Sequence, residues 1–270
     1  MSVAGPWIGR FFLLVFFLLT PNGWAQTPST VEEVFKFAGE KAAGYTDWSA
    51  DFIQTASIPT GQFQQKGHLA MKRPHQIWML MSMDIADQSS TNLVIAGADG
   101  IAWTEMNAMG QKQVMKMDLN AMAGSGQNPA RNADPIEQVR RYQDLFDFQL
   151  KESREQNGQM MFVLEGVKKS TTANADPQLA VLLAGSSKLR AFIGKQDGFV
   201  HQIEMLDKDG KLLFSQEFRN LKVNQALSDE MFHYSPPPGV RIMDMTVSNA
   251  RSQTNTAPAA TEPNSPEAKP

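Results

Sequence analysis

The stretch from Gly67 to Met83, GHLAMKRPHQIWMLMSM, constrains the fold of this chain more than any other. It holds two strand-like runs joined at Arg73-Pro74, where the strand must break or turn because proline has no backbone N–H to donate. The second run is apolar on both faces, so it must be covered on both faces or line a cavity on one. One face is soft and adaptable because it is rich in methionine, carrying Ile77, Met79, Met81 and Met83.

Residues 1–25 are typical of a secretory signal peptide. Arg10 is the single charge in this segment, residues 11–19 form a short apolar run, and Gly23-Trp24-Ala25 fits a cleavage site. The alternative is an uncleaved membrane anchor, but a spanning helix needs about 20 apolar residues. We therefore expect an exported, soluble protein whose mature chain starts near Gln26.

The composition excludes several classes of function. The chain has no cysteine, so it uses neither disulfides nor a lipid-modified N-terminal cysteine. Its formal net charge is −3 without a basic patch, which argues against nucleic-acid binding. The four histidines lack metal-ligand spacing, and no nucleophile, phosphate-loop or dinucleotide motif is present. We expect no enzymatic activity, no metal and no cofactor.

Capping and periodicity predict three helices and a series of strands. A capping pattern at Ser29–Glu33 begins a helix over residues 30–43, and Asp134-Pro135 begins a second with an apolar stripe of Ile136, Val139, Tyr142 and Phe146. A short helix is predicted over 178–184. Residues 122–133 are predicted to be a flexible loop and 249–270 a disordered tail. Alternation predicts strands over 48–55, 67–72, 76–83, 91–96, 101–106, 111–118, 160–165, 189–193, 199–206 and 211–221.

This order of elements predicts a mainly β protein with some α-helix. About ten or eleven short antiparallel strands would form a meander, and such a sheet curls strongly. Its concave face must bury against something, and the amphipathic helices are the available cover.

Several motifs in order resemble the LolA family of periplasmic lipoprotein carriers and the related LolB, RseB and LppX proteins. The similarity runs from about Val31 to Thr246, so residues 26–248 are expected to form one LolA-like domain. The motifs are Asp51-Phe-Ile-Gln54, Gly67-His-Leu-Ala-Met-Lys-Arg-Pro74, Asp99-Gly-Ile-Ala-Trp103, Asp207-Lys-Asp-Gly-Lys211 and Phe232-His-Tyr-Ser-Pro-Pro-Pro-Gly-Val240.

The resemblance implies an incomplete antiparallel β-barrel with helices forming a lid over a hydrophobic cavity. It implies a periplasmic, monomeric carrier that takes an acylated lipoprotein or another lipid from an inner-membrane exporter to an outer-membrane acceptor. Arg73 occupies the position whose side chain holds the lid shut in the family; the alternative is an ordinary surface arginine at a strand end. The family's aromatic residue at the cavity mouth is replaced here by Ile77, and its Arg/Asn-Trp by Trp78-Met79.

Acyl chains bind by leaving water, so the binding residues are expected among the strand side chains of the cavity. The alternative is that these side chains form an ordinary filled core. The candidates are Phe52, Leu69, Met71, Ile77, Met79, Met81, Trp103, Met115, Met117, Phe162, Leu164, Ile203, Met205, Phe214 and Phe218.

Two other functions remain open from the sequence. One is an RseB-like sensor that binds a membrane partner, although RseB has a second C-terminal domain and residues after Thr246 lack apolar bulk for one. The other is a structural β-protein with no ligand.

Overall fold

The computed structural model describes residues 27–58, 61–85, 88–108, 110–121, 142–170, 183 and 185–246. Within these ranges there is one α-helix, α1 (Val31–Ala43), and one short 3-10 helix, Asp229–Phe232. The strands are β1 (Asp47–Ile58), β2 (Gly61–Lys72), β3 (Gln76–Ile85), β4 (Gln88–Ala96), β5 (Ile101–Ala108), β6 (Gln111–Asp118), β7 (Phe146–Gln156), β8 (Gln159–Lys168), β9 (Lys188–Gly194), β10 (Val200–Leu206), β11 (Leu212–Val223) and β12 (Ile242–Asp244).

The strands form one twelve-stranded sheet in the order β12-β6-β5-β4-β3-β2-β1-β11-β10-β9-β8-β7. Every neighbouring pair is antiparallel except β12 and β6, which are parallel. The edge strands β12 and β7 do not pair with each other, so the sheet stays open. The predicted incomplete antiparallel barrel is confirmed, with β7 and β12 as strands that the sequence pattern did not predict.

Helix α1 begins and ends where its sequence signals place it. The side chain of Thr30 accepts a hydrogen bond from the backbone N–H of Glu33, and the carboxylate of Glu33 accepts one from the backbone N–H of Thr30, which completes a capping box. Gly44 follows the last helical residue. The helix predicted over 30–43 is confirmed.

Several predicted segments lie outside the described residues. They are the signal peptide (1–25), the loop at 122–133, most of the second helix, most of the short helix at 178–184 and the tail at 249–270. One part of the second helix is corrected, because Phe146 begins β7 instead of extending a helical stripe.

The face of the sheet on which α1 packs is called the inner face here. Directly opposed residues of antiparallel strands share a face, so the register carries the inner face across the sheet. One continuous row from β11 to β6 consists of Val223, Trp48, Met71, Ile77, Ala96, Ala102 and Met117. The inner face therefore continues well beyond the strands that α1 covers.

The segment after β11 is tied to the first strands by polar contacts. Asp47 is buried and accepts hydrogen bonds from the backbone N–H groups of Gln225 (2.7 Å) and Ala226 (3.1 Å). Lys72 pairs with Asp229 at 2.6 Å. These contacts direct the chain across the sheet toward β12.

Candidate functional site

Helix α1 covers one half of the inner face. Val34, Phe35, Ala38 and Ala42 from the helix join a single buried cluster with side chains from β7 to β11. Five of the predicted binding residues belong to this cluster and are buried beneath or beside the helix: Phe162, Leu164, Ile203, Met205 and Phe214.

The other half of the inner face carries a second cluster, centred on β1 to β5. Trp48, Phe199 and Phe218 pack edge-to-face, with ring centroids 5.0 to 6.4 Å apart. Four further predicted residues join this cluster or pack against it: Leu69, Met71, Ile77 and Met117. Phe52 is buried in it as well.

Beside these residues, the inner face presents methionines that are only half-buried. Met79 opposes Leu69 and Val94, and Val94 continues through Thr104 to Met115. Met81 likewise leads through Asn92 to Met106. This methionine surface consists of Met79, Met81, Met83, Met106, Met115 and Met117, each intermediate in exposure. Unbranched, polarisable side chains of this kind adapt to apolar ligands of different shape.

Fourteen of the fifteen predicted binding residues lie on the inner face by register or cluster. Trp103 does not. Its neighbour Ala102 is fully buried on the inner face, and alternation along β5 turns Trp103 to the outer face.

On the outer face, Trp103 lies beside Tyr234 with ring centroids 5.5 Å apart, and Lys116 stands 5.5 Å from its ring. The two aromatic rings line a pocket of about 580 Å³ that also contains Arg73. Tyr234 is fixed there by donating its hydroxyl to Glu105 at 2.6 Å.

Arg73 lies in the turn between β2 and β3, where Pro74 ends the ladder as its missing N–H predicts. Its Nη2 donates to the backbone oxygen of Ala42, at 2.7 Å, in the last turn of α1. Its backbone N–H donates to Thr46 at 2.9 Å. A cationic donor at a helix C-terminus satisfies a terminal carbonyl and complements the helix dipole. Arg73 therefore connects the β2–β3 turn directly to the helix that covers the inner face.

The turn between β9 and β10 holds the same end of α1 from the other side. The hydroxyl of Tyr45 donates to the backbone oxygen of Asp197. A side chain at Gly198 would lie 2.8 Å from Cβ of Lys41, so only glycine permits this close approach to the helix. Burial, together with the charge of Asp197, raises the pKa of Tyr45 to about 12, so its hydroxyl remains a donor at neutral pH.

The carboxylate of Asp197 organises this turn. It accepts hydrogen bonds from His201 (2.9 Å), Gln159 (2.8 Å) and the backbone N–H of Phe199 (2.9 Å). Burial raises the pKa of Asp197, but these hydrogen bonds and the nearby imidazole outweigh burial, so the pKa lies below its ordinary value. An ionised Asp197 is thus part of the anchor for α1.

Within the described ranges, no group of three or more His, Cys, Asp or Glu side chains is placed to hold a metal ion. In the part of the chain that the structure describes, no helix combines the length and apolar character needed to cross a bilayer.

Two methionines and three glutamines are among the inner-face side chains that the predicted binding residues leave out. Met83 and Met106 extend the methionine surface. Alternation from Met81 along β3 points to Met83, and alternation along β5 points to Met106. Three glutamines, Gln54, Gln65 and Gln216, also lie on this face. An apolar pattern cannot reveal them, because their side chains are polar.

In the described part of the chain, these features define an open, incomplete β-barrel with helix α1 anchored over one half of its inner face. No protein-family model and no curated protein matches the chain. Among solved structures, it is similar to an uncharacterized conserved protein from Thermus thermophilus, with TM-score 0.48, 11% identity and coverage of 79% of this chain and 98% of that one.

It is also similar to the Mycobacterium tuberculosis lipoprotein LppX (TM-score 0.44, 7% identity, 72% and 95% coverage). A third is a LolA superfamily protein from Nitrosomonas europaea (TM-score 0.33, 11% identity, 77% and 99% coverage). LppX and the LolA superfamily are groups that the sequence motifs resemble. These identities and TM-scores are too low to carry an argument about function, which depends on the geometry above.

Proposed function

We propose that this protein is a periplasmic carrier that binds the acyl chains of a lipoprotein, or of another lipid, on its inner face. The observation that carries the proposal is the methionine surface, which is apolar, half-buried and continuous with a core that α1 covers. A monomer selected only for stability gains by burying such side chains completely.

The energetics suit an acyl ligand. Burial of apolar surface contributes about 0.8 kcal/mol per CH₂, so one long chain lying along the methionine surface would bind tightly. Neighbouring methionines can adjust to chains of different length without a fixed pocket shape. The proposal requires no bond-making chemistry, and we therefore propose a binding protein and not an enzyme.

In this proposal α1 acts as the cover of the site, and Arg73 holds the cover in place. The bond from Arg73 to Ala42 joins the helix to a turn at the sheet's end, where a partner can reach it. By the motif resemblance, the partners are an inner-membrane exporter that delivers the acylated cargo and an outer-membrane acceptor that receives it.

A matched pair of substitutions on β3 tests the binding face. Met79→Lys places a charge on the inner face, whereas Leu80→Lys places the same charge on the outer face, where Leu80 is 40% exposed. Titration with a fluorescent long-chain acyl ester, which has no charge to pair with a lysine, should show at least about a tenfold loss of affinity for Met79→Lys, because a lysine beside an acyl chain loses hydration without a partner. Leu80→Lys should bind as the unsubstituted protein does.

Equal binding by all three proteins would place the acyl chain elsewhere and overturn the proposed site. Absence of binding by the unsubstituted protein would overturn the carrier function itself. Thermal unfolding of each variant separates loss of binding from loss of fold.

A further inference from the structure

On β1, β2 and β11 the inner face contains one polar band between apolar side chains. Gln54 of β1 is directly opposed by Gln65 of β2 on one side and by Gln216 of β11 on the other. The three side chains therefore stand next to one another across adjacent strands, at the spacing of direct cross-strand neighbours. They are called the glutamine row here.

Apolar side chains lie on both sides of the glutamine row. Toward the aromatic cluster the next inner positions are Phe218 and Phe52, and toward the opposite end they are Phe214 and Ala56. The row ends against Ile203 on β10 and Met83 on β3. A ligand that lies along β11, β1 and β2 on the inner face would therefore pass over these three amides.

The amides keep unused hydrogen-bonding capacity. Nε2 of Gln65 donates to Oε1 of Gln54 and lies 3.9 Å from Sδ of Met81. Among the described residues, nothing else bonds to the amino group of Gln54 or the carbonyl of Gln65, and each amide has two donors and an acceptor with two lone pairs. The amide of Gln216 makes no hydrogen bond to another described residue.

The absence of charged side chains from the inner face of these strands further limits the class of ligand. On β1, β2, β3 and β11, the inner positions that the register defines carry no charged side chain. A neutral amide pairs well with a neutral carbonyl, and an amide covered by pure hydrocarbon loses its water without replacement.

We infer that the glutamine row binds the carbonyl groups of ester- or amide-linked acyl chains. This inference rests on the proposed function and deepens it, because it names the ligand class as acylated molecules with neutral carbonyl linkages. The amino groups of Gln54 and Gln216 donate to the linkage carbonyls, while the hydrocarbon of each chain lies on the methionine surface.

A pair of lipids that differ only in the linkage tests the inference. Dioctanoylglycerol has two ester carbonyls, and dioctylglycerol has two ether oxygens on chains of the same length. Each is used to displace a fluorescent fatty acid from the full mature chain. The unsubstituted protein should prefer the diester by about tenfold, the worth of one to two net hydrogen bonds.

Replacing the amides with thioethers should abolish the preference. In the triple variant Gln54→Met/Gln65→Met/Gln216→Met the side chains keep their length but lose every donor of the glutamine row, so the diester and the diether should bind within about twofold of each other. Gln64→Met is the matched control, because Gln64 is exposed on the outer face of the same strand; it should keep the full preference.

The outcomes separate the ligand class from the carrier function. Displacement by both lipids with equal strength from the unsubstituted protein, or a preference retained in the triple variant, overturns the glutamine row as a ligand site while leaving a carrier. Displacement by neither lipid from protein that has bound the fluorescent probe likewise overturns this inference alone, whereas a protein that does not bind the probe overturns the carrier.

A second measurement does not depend on the variants folding. The side-chain NH₂ resonances of Gln54 and Gln216, followed in ¹⁵N-labelled protein, should move on addition of the diester and stay in place on addition of the diether. Identical spectra with the two lipids would overturn the inference.

Discussion

The bond between Arg73 and α1 gives the sharpest prediction about how the inner face is covered. Arg73→Leu keeps the backbone N–H that donates to Thr46 but removes the guanidinium that donates to Ala42. If this bond holds the helix in place, α1 should open more often in the variant while the sheet remains as stable as before.

The size of the effect follows from the surroundings of the Ala42 oxygen. A hydrogen bond from a charged donor contributes about 1.5–3 kcal/mol, but Arg73 is exposed and solvent screening reduces this contribution. The backbone N–H of Tyr45 also donates to Ala42 at 3.0 Å, so the variant leaves no unsatisfied carbonyl. We expect a loss of about 1 kcal/mol, which raises the open population about fivefold.

Hydrogen exchange measures this opening directly. In Arg73→Leu the amides of residues 35–43 should exchange about fivefold faster, while those of β1, β2 and β11 should be unchanged. Arg73→Lys keeps a cationic donor, so its exchange rates in α1 should lie between those of Arg73→Leu and those of the unsubstituted protein. Lys72→Met is the control, because Lys72 bonds to Leu227 and Asp229 and makes no bond to α1. Unchanged exchange in α1 of Arg73→Leu would refute the assigned role of Arg73.

Two further predictions concern stability. Because hydrogen bonds from His201 and Gln159 hold the folded pKa of Asp197 below the ordinary value of 3.8, its stabilisation is complete above that pH and is lost as the pH falls through the folded value. Urea unfolding should thus show Asp197→Asn less stable than the unsubstituted protein at neutral pH, with the gap closing in acid; a constant gap would contradict the assignment. Gly67→Ala should lower the free energy of unfolding by about 1–3 kcal/mol, since its Cβ would lie 2.1 Å from the Leu80 oxygen. Gly44→Ala, whose Cβ would meet only an oxygen at 3.4 Å, should unfold in urea like the unsubstituted protein, and equal effects of the two substitutions would refute this account.

Most of the fold could be predicted from the sequence because local signals and tertiary structure agree there. The capping residues of α1 and the alternation in β1 to β6 are local, and the structure follows them. Strand β7 was missed because Phe146 fitted the end of a helical stripe and the charged residues after Leu150 hid the alternation of Phe146, Phe148 and Leu150. Strand β12 has three exposed residues and depends on pairing with β6, which is not visible in its own sequence.

For the candidate site, alternation predicts which residues of a strand share a face but not which face points inward. Trp103 is among the predicted binding residues, yet the small Ala102 occupies the inner position, and Trp103 packs with Tyr234 from a distant segment. The glutamine row needs the pairing of three strands, so no single stretch of sequence reveals it. The contact from Arg73 to α1 likewise joins positions 31 residues apart.

Native mass spectrometry of the protein, expressed from the full chain and purified without detergent, tests the central claim most directly. If the inner face is a binding surface, part of the protein should carry additional mass that fragments to acyl chains, and Met79→Lys should carry much less. Protein that is always free of ligand, with the compact collision cross-section of a filled core, would contradict a carrier and support a structural β-protein.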